Sequence, residues 1–413
     1  MPRKIAGAAD ILRAGTFACC FPQGRRRAAG ASDGTVTLCA VRVAIVTESF
    51  LPRINGVTNS VCRVAEQLAA RRHEVLIVAP EPGPDRYAGQ PVEPVPGFCL
   101  PFYRSFTVGV PTGRVRAALR DFAPDVVHLA SPFVLGAGGL SAARRMDVPA
   151  VAVFQTDMAG FARRYRCGMA TPLIWSWLRH IHGRADRTLV PSTPVLGELE
   201  RRGVPRLALW ARGVDQTAFH PRHRSEGVRA RLAPGNEVLI GYVGRLAAEK
   251  RPEMLTRLVG IPGARLVVVG DGPEGERLRR LLPDAVFTGF RTGGELSELV
   301  ASLDVFVHTG ADETFCQAVQ EGLASGVPVV APAAGGPLDL VRPGHNGLLF
   351  APDDGGDLRA AVEALVSDPA MRWRMSREAF RSVRGRGWDV ICDELLGHYD
   401  DVMYGVPAGQ QAA

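Results

Sequence analysis

From residue 41 onward, short valine-rich apolar runs alternate with Gly/Pro/Asn loops and amphipathic stretches. Runs at 41–47, 74–79, 125–130, 150–154, 188–190 and 207–210 are continuous rather than alternating, the pattern of parallel strands covered on both faces by helices. The stretches 59–71 and 112–122 between them predict helices. After 212–221 the pattern restarts, with a second set of runs at 237–243, 265–269, 285–288, 304–308 and 327–331. The chain therefore reads as α/β, two Rossmann-like doubly wound domains at 41–210 and 211–387 with a cleft between them. Ligand chemistry is expected at the carboxyl ends of the strands. The last amphipathic stretch, 388–405, is expected to return to the first domain, with 406–413 a tail.

Length agrees with two domains, since 413 residues exceed what one ordinary core holds. No apolar run approaches the roughly 18 to 20 residues that cross a bilayer. The eight cysteines show no CxxC pair or metal-ligand spacing, which fits free thiols in a reducing cytoplasm. The formal charge is +7, but the Arg/Ala/Gly-rich stretch 1–40 holds six basic and two acidic residues, leaving +3 for the rest. That balance speaks against nucleic-acid binding. Residues 1–40 lack periodicity and read as a disordered leader or a misplaced start.

The first candidate chemistry lies in 244–250, Gly-Arg-Leu-Ala-Ala-Glu-Lys, directly after a strand. Arg245 and Lys250 stand where an open α/β sheet receives an anion. Among 49 basic residues only Lys4 and Lys250 are lysines. A lone ammonium in an arginine-writing sequence suggests a compact point charge that follows a phosphate. The second candidate, 312–317, opens a helix after the strand ending at His308. Thr314 and Gln317 fit a capping box there, with amides turned toward the cleft. Glu313 and Glu321 would be about 12 Å apart at ~1.5 Å per helical residue. That exceeds the roughly 5 to 9.5 Å of a glycosidase pair and suits two ends of one long ligand. Ala-Ala-Gly-Gly-Pro at 333–337 permits close backbone approach to a ligand. The loop 53–58 holds Asn55 and Gly56 but lacks the dinucleotide glycines.

These segments, with Arg212-Gly213-Val214-Asp215 and Gly326-Val327-Pro328, together resemble family 4 glycosyltransferases of the GT-B fold. The resemblance implies that Arg245 and Lys250 bind a donor diphosphate beside Gly244, and that Glu313 meets hexose hydroxyls and Glu321 the ribose. It implies backbone contacts near Phe315 and Cys316, base contacts at Phe290 and Arg291, and approach of Gly56 to the phosphate. Gln155 stands where the family often has histidine; a glutamine can hydrogen-bond a sugar but cannot act as acid or base. Asp157 is a candidate to orient the acceptor or assist catalysis, with Asn55 and His128 as further acceptor contacts. A strand-end structural histidine is the plain alternative for His128.

The segments 47–57 and 154–165 most resemble bacterial GDP-mannose-dependent α-mannosyltransferases acting on glycolipids. The resemblance implies a retaining, metal-independent transfer with a nucleotide sugar as co-substrate and no further cofactor. It also implies a glycolipid or phospholipid-linked acceptor, met in the cytoplasm at the inner face of the plasma membrane. Arg163, Arg164 and Arg166, followed by Trp175 and Trp177, form a stretch compatible with anionic headgroups. An ordinary helix with core tryptophans is the alternative. Rival readings are a UDP- or ADP-sugar hexosyltransferase with a small or polysaccharide acceptor, an epimerase or hydrolase, and a nucleotide-sugar-binding protein without catalysis.

Overall fold

The computed structural model describes residues 40–100, 103–157, 160 and 171–405. In the first half the strands are β1 (Arg42–Thr47), β2 (Glu74–Pro80), β3 (Arg86–Tyr87), β4 (Gln90–Val95), β5 (Gly97–Leu100), β6 (Tyr103–Gly109), β7 (Val126–Ala130), β8 (Ala150–Val153), β9 (Arg187–Val190) and β10 (Leu207–Leu209). Eight of them form one sheet in the order β10-β9-β8-β7-β1-β2-β4-β3, parallel except for β3 against β4, while β5 and β6 pair separately. The short strands β3 to β6 go beyond the apolar runs of the sequence. β3 is two residues long, β4 is interrupted by Pro91 and Pro94, and β5 and β6 are short or carry polar residues, so no apolar run marks them.

The second half supplies β11 (Val238–Val243), β12 (Ala264–Val269), β13 (Val286–Gly289), β14 (Val305–Val307), β15 (Val329–Pro332) and β16 (Gly347–Phe350). They form a six-stranded parallel sheet ordered β13-β12-β11-β14-β15-β16. Burial explains the valine runs, since β1, β7 and β8 are almost wholly inaccessible and must meet helices on both faces.

The helix Gly56–Ala70 covers one face of the first sheet, burying Val61, Val64, Ala65 and Leu68. It starts where Asn55 Oδ1 accepts from the amides of Val57 and Thr58, both at 3.0 Å. Such a cap contributes about 1 kcal/mol. The last described helix, Trp388–Tyr404, packs Trp388, Ile391, Leu395 and Tyr399 into the same core as Val43 and Ile45. Its Ile391 carbonyl accepts from Trp210 Nε1 at 2.9 Å. Among the described residues no helix is long and apolar enough to cross a membrane.

Candidate active site

In the second sheet the strand order reverses between β11 and β14, which lie side by side with Tyr242 opposite Val307. Loops leaving the carboxyl ends of two such strands part in opposite directions and open a crevice. The loop 244–250 leaves β11 and ends in the short turn Ala248–Lys250, and the loop 308–316 leaves β14. Lys250 Nζ donates to Glu313 Oε1 at 2.5 Å, although the two residues are 63 positions apart. His308 Nε2 lies 3.1 Å from the same oxygen. Thr309 Oγ1 donates to the Lys250 carbonyl at 2.6 Å, which fixes the backbone beneath the ammonium.

Burial opposes charge on both Lys250 and Glu313, and their mutual attraction outweighs it. Glu313 is held well below the usual carboxylate range by Lys250 and the His308 contact, and Lys250 is raised. The pair is therefore ionised at neutral pH. Its side chains keep 30% and 14% exposure, so neither is wholly sealed from solvent. Arg245 stands more open, at 40%, with Nη1 3.8 Å from Glu249. His308, Glu313 and Cys316 also bring one donor atom each within 4.8 Å of one another, a spacing that would admit a metal ion. A divalent cation there would have to displace the Lys250 ammonium from the carboxylate.

One expectation for these loops is corrected. Thr314 and Gln317 form no capping box, because the chain turns left-handed at Cys316 (φ 78°) and the helix begins only at Gln317. Thr314 Oγ1 instead donates to the Gln155 carbonyl at 2.9 Å, and Gln317 Nε2 to the Gly213 carbonyl at 3.0 Å, so both join distant segments. The glycines at 335 and 336 lie against protein backbone. The Gly336 amide donates to the Glu313 carbonyl at 2.8 Å, and a Cβ at 335 would meet that oxygen at 2.3 Å. They support the loop that carries Glu313. The Phe315 and Cys316 side chains are buried in the core, which leaves only their backbone for a ligand.

Other predicted residues fall at differing distances from this pair. Gly56 is exposed at the start of its helix, with its carbonyl accepting from Arg212 Nη1 at 3.0 Å. Glu321, one helix turn and more beyond Glu313, is pushed up to about 8 by burial, against the opposing pull of Arg63 and a Gln317 hydrogen bond. Arg63 itself pairs with Asp215 at 3.0 Å. Phe290 and Arg291 stand exposed after β13, two strands from β11. Asp157 Oδ1 accepts from the Gly160 amide at 2.8 Å.

Burial removes His128 from reach of an acceptor, whereas Asn55 is exposed and engaged at a helix start. Asn55 spends its carbonyl oxygen on the helix cap and donates Nδ2 to Ser49 Oγ at 2.7 Å. His128 is 2% exposed, with Nδ1 2.7 Å from the Tyr399 hydroxyl, and burial pushes its pKa down to about 3. It is a neutral core histidine joining β7 to the last described helix. Trp175 likewise belongs to the interior, stacked on Phe154 and covered by Arg202, because the apolar face of its helix turns toward the sheet. Trp177 is 40% exposed. Arg163, Arg164 and Arg166 lie outside the described residues.

Gln155 is also not placed as a free catalytic group. Its Oε1 accepts from Arg212 Nη2 at 2.6 Å, and its side chain is buried. The sequence did not mark Arg212 as buried beside Gly56 and Gln155, although a cation flanked by Trp210, Gly213 and Val214 was the available signal. It missed His308 too, a polar residue ending an apolar strand. Glu48 was hidden in the same way. Its Oε1 accepts from the amides of Phe133 and Gly136 at 2.8 and 2.9 Å, beside the helix Leu135–Arg145. Burial outweighs those bonds and raises its pKa to about 7.

Residues 54–218 match the model for Glycosyltransferase Family 4, and residues 224–382 that for Glycosyl transferases group 1. A GDP-mannose-dependent alpha-mannosyltransferase of Mycobacterium tuberculosis is 52% identical over 372 residues, covering 88% of this chain and 98% of that protein. A protein of the same description from Corynebacterium glutamicum is 45% identical, covering 88% and 89%. Sucrose-phosphate synthase from Thermosynechococcus elongatus superposes with a TM-score of 0.73 at 20% identity, covering 88% and 99%. HepE of Anabaena, solved with UDP and glucose, gives 0.71 at 19%, covering 87% and 100%. The two facing sheets are those of the GT-B fold.

Proposed function

The chain belongs to glycosyltransferase family 4, and we propose that it moves mannose from GDP-mannose, with retention of configuration, to a glycolipid or phospholipid-linked acceptor. The observation that carries the reading is the Lys250–Glu313 ion pair at the reversal point of the second sheet, in a chain half identical to GDP-mannose-dependent alpha-mannosyltransferases. A phosphatidylinositol dimannoside mannosyltransferase, 28% identical over 302 residues, supports a lipid-linked acceptor.

In this reading the donor diphosphate lies along Arg245 and Lys250, beside Gly244. Glu313 accepts from hexose hydroxyls, with its charge maintained by Lys250 and its position by His308. Glu321 meets the ribose, the amides near Phe315 and Cys316 meet phosphate or sugar, and Phe290 and Arg291 meet the base. Gly56 nears the phosphate from the first half, and Asp157 orients the acceptor.

As the bond from the anomeric carbon to the β-phosphate oxygen breaks, negative charge grows on the departing diphosphate. The two cations stabilise that charge more strongly than they stabilise the intact donor. The acceptor oxygen bonds to the anomeric carbon on the same face. Its proton passes to the leaving phosphate oxygen, so no separate base is required. The work takes place in the cytoplasm at the inner membrane face, with Arg163, Arg164 and Arg166 against lipid headgroups.

Thermal-shift titration with GDP-, UDP- and ADP-sugars tests the donor. At a hundredfold its dissociation constant the true donor adds about 2.7 kcal/mol of stability. Selective stabilisation by a UDP- or ADP-sugar would overturn the GDP assignment.

A further inference from the structure

The buried Arg212 is the cation whose surroundings are least accounted for. It is 7% exposed, yet its two hydrogen bonds go to neutral oxygens, the Gly56 carbonyl at 3.0 Å and Gln155 Oε1 at 2.6 Å. Among the described residues no carboxylate oxygen lies within ion-pair distance of it, whereas Lys250 has Glu313 and Arg245 has Glu249. Its Nε has no partner, and neither has Gln155 Nε2, although both atoms are buried. Fixing a guanidinium in the interior without a counter-charge is strongly unfavourable. Two orphaned donors beside an uncompensated cation make a place for an oxyanion.

The location narrows which oxyanion. One arm of the guanidinium touches the start of the helix Gly56–Ala70, whose amino end favours negative charge. The Gln155 carbonyl accepts from Thr314, the neighbour of Glu313, and the charge of Glu313 is felt at Arg212. The Arg212 carbonyl accepts from Gln320 Nε2 at 3.0 Å, tying its backbone to the helix Gln317–Ala324. Arg212 thus contacts Gly56 directly and the loop of Glu313 through Gln155 and Thr314; the proposed function gives the first to the phosphate and the second to the hexose that the phosphate leaves.

We propose that Arg212 is a third cation of the donor site, its guanidinium receiving a diphosphate oxygen, with Gln155 as the positioning residue that aims it. The inference rests on the proposed function. It explains why an amide at 155 is serviceable, since Oε1 holds the fork while Nε2 remains a donor to the same anion. Burial lowers the pKa of Arg212 only to about 10, so the group stays charged at neutral pH.

The test is isothermal titration of wild type, Arg212→Met and Arg212→Lys with GDP, UDP, ADP and the nucleoside of whichever one binds. Loss of a charge-assisted hydrogen bond predicts that Arg212→Met weakens the diphosphate about 10- to 100-fold and leaves the nucleoside unchanged. Arg212→Lys should fall between. If Arg212→Met does not fold by circular dichroism, Gln155→Met is read instead, with the same selective loss expected. A folded Arg212→Met that binds the diphosphate within twofold of wild type overturns this inference alone. A wild-type protein that binds none of the three overturns the proposed function and this inference with it.

Discussion

Replacing Lys250 by alanine separates a working cation from a structural one. In the wild type its ammonium is 2.5 Å from Glu313, and that carboxylate is only 14% exposed. Breaking a fully buried pair costs about 3–5 kcal/mol, chiefly because the remaining charge is stranded. Here Lys250 retains 30% exposure and His308 stays 3.1 Å from the carboxylate, so solvent and imidazole both soften the loss. We expect about 2 kcal/mol of destabilisation after that discount, which for a chain of this length lowers Tm by about 3 °C. The effect on turnover should be far larger, because a donor aimed at charge that develops during bond breaking contributes about 10²–10³ in kcat. Initial rates of mannosyl transfer and calorimetric melts, on the same preparations, give the two quantities. The double change Lys250→Ala with Glu313→Gln should recover much of the Tm and none of the rate. A folded Lys250→Ala variant keeping more than a tenth of wild-type kcat would refute the placement of the diphosphate on Lys250.

Two further expectations concern pH and lipid. Glu48 has its folded pKa raised from 4.5 to about 7, so the fold favours the protonated acid. Its contribution is fully present below pH 4.5 and is lost as pH rises through 7, a change of about 3 kcal/mol. Glu48→Gln keeps the neutral form at every pH, so its Tm relative to wild type should rise between pH 5 and 8. A constant difference across that range would show that Glu48 is not buried as an acid. Flotation with anionic liposomes tests the membrane contact: reversing charge at Arg163, Arg164 and Arg166 should reduce association severalfold, and unchanged binding would remove these arginines from the interface.

Chain periodicity alone determined the two-sheet α/β architecture. Continuous valine runs such as those of β1, β7 and β11 are viable only when helices shield both faces, so the pattern declares the fold before any contact is known. The small strands β3 to β6 were not legible, since they are short, Pro-broken in β4 or mixed in polarity, and so carry no continuous apolar run. For the site, the sequence marked Lys250 by its rarity and Glu313 by its motif. It could not say that the two would meet, because that depends on β11 and β14 being adjacent in the sheet although 63 positions separate the two residues. Only tertiary structure could decide which polar residues are spent on the fold. His128 and Asn55 lie in segments with the right wording, but burial against Tyr399 and the open amides of a helix start claim their hydrogen-bonding groups. The isolation of Arg212 from any described carboxylate is likewise a property of three-dimensional packing, since charge balance at a buried point is set by which distant segments fold over it.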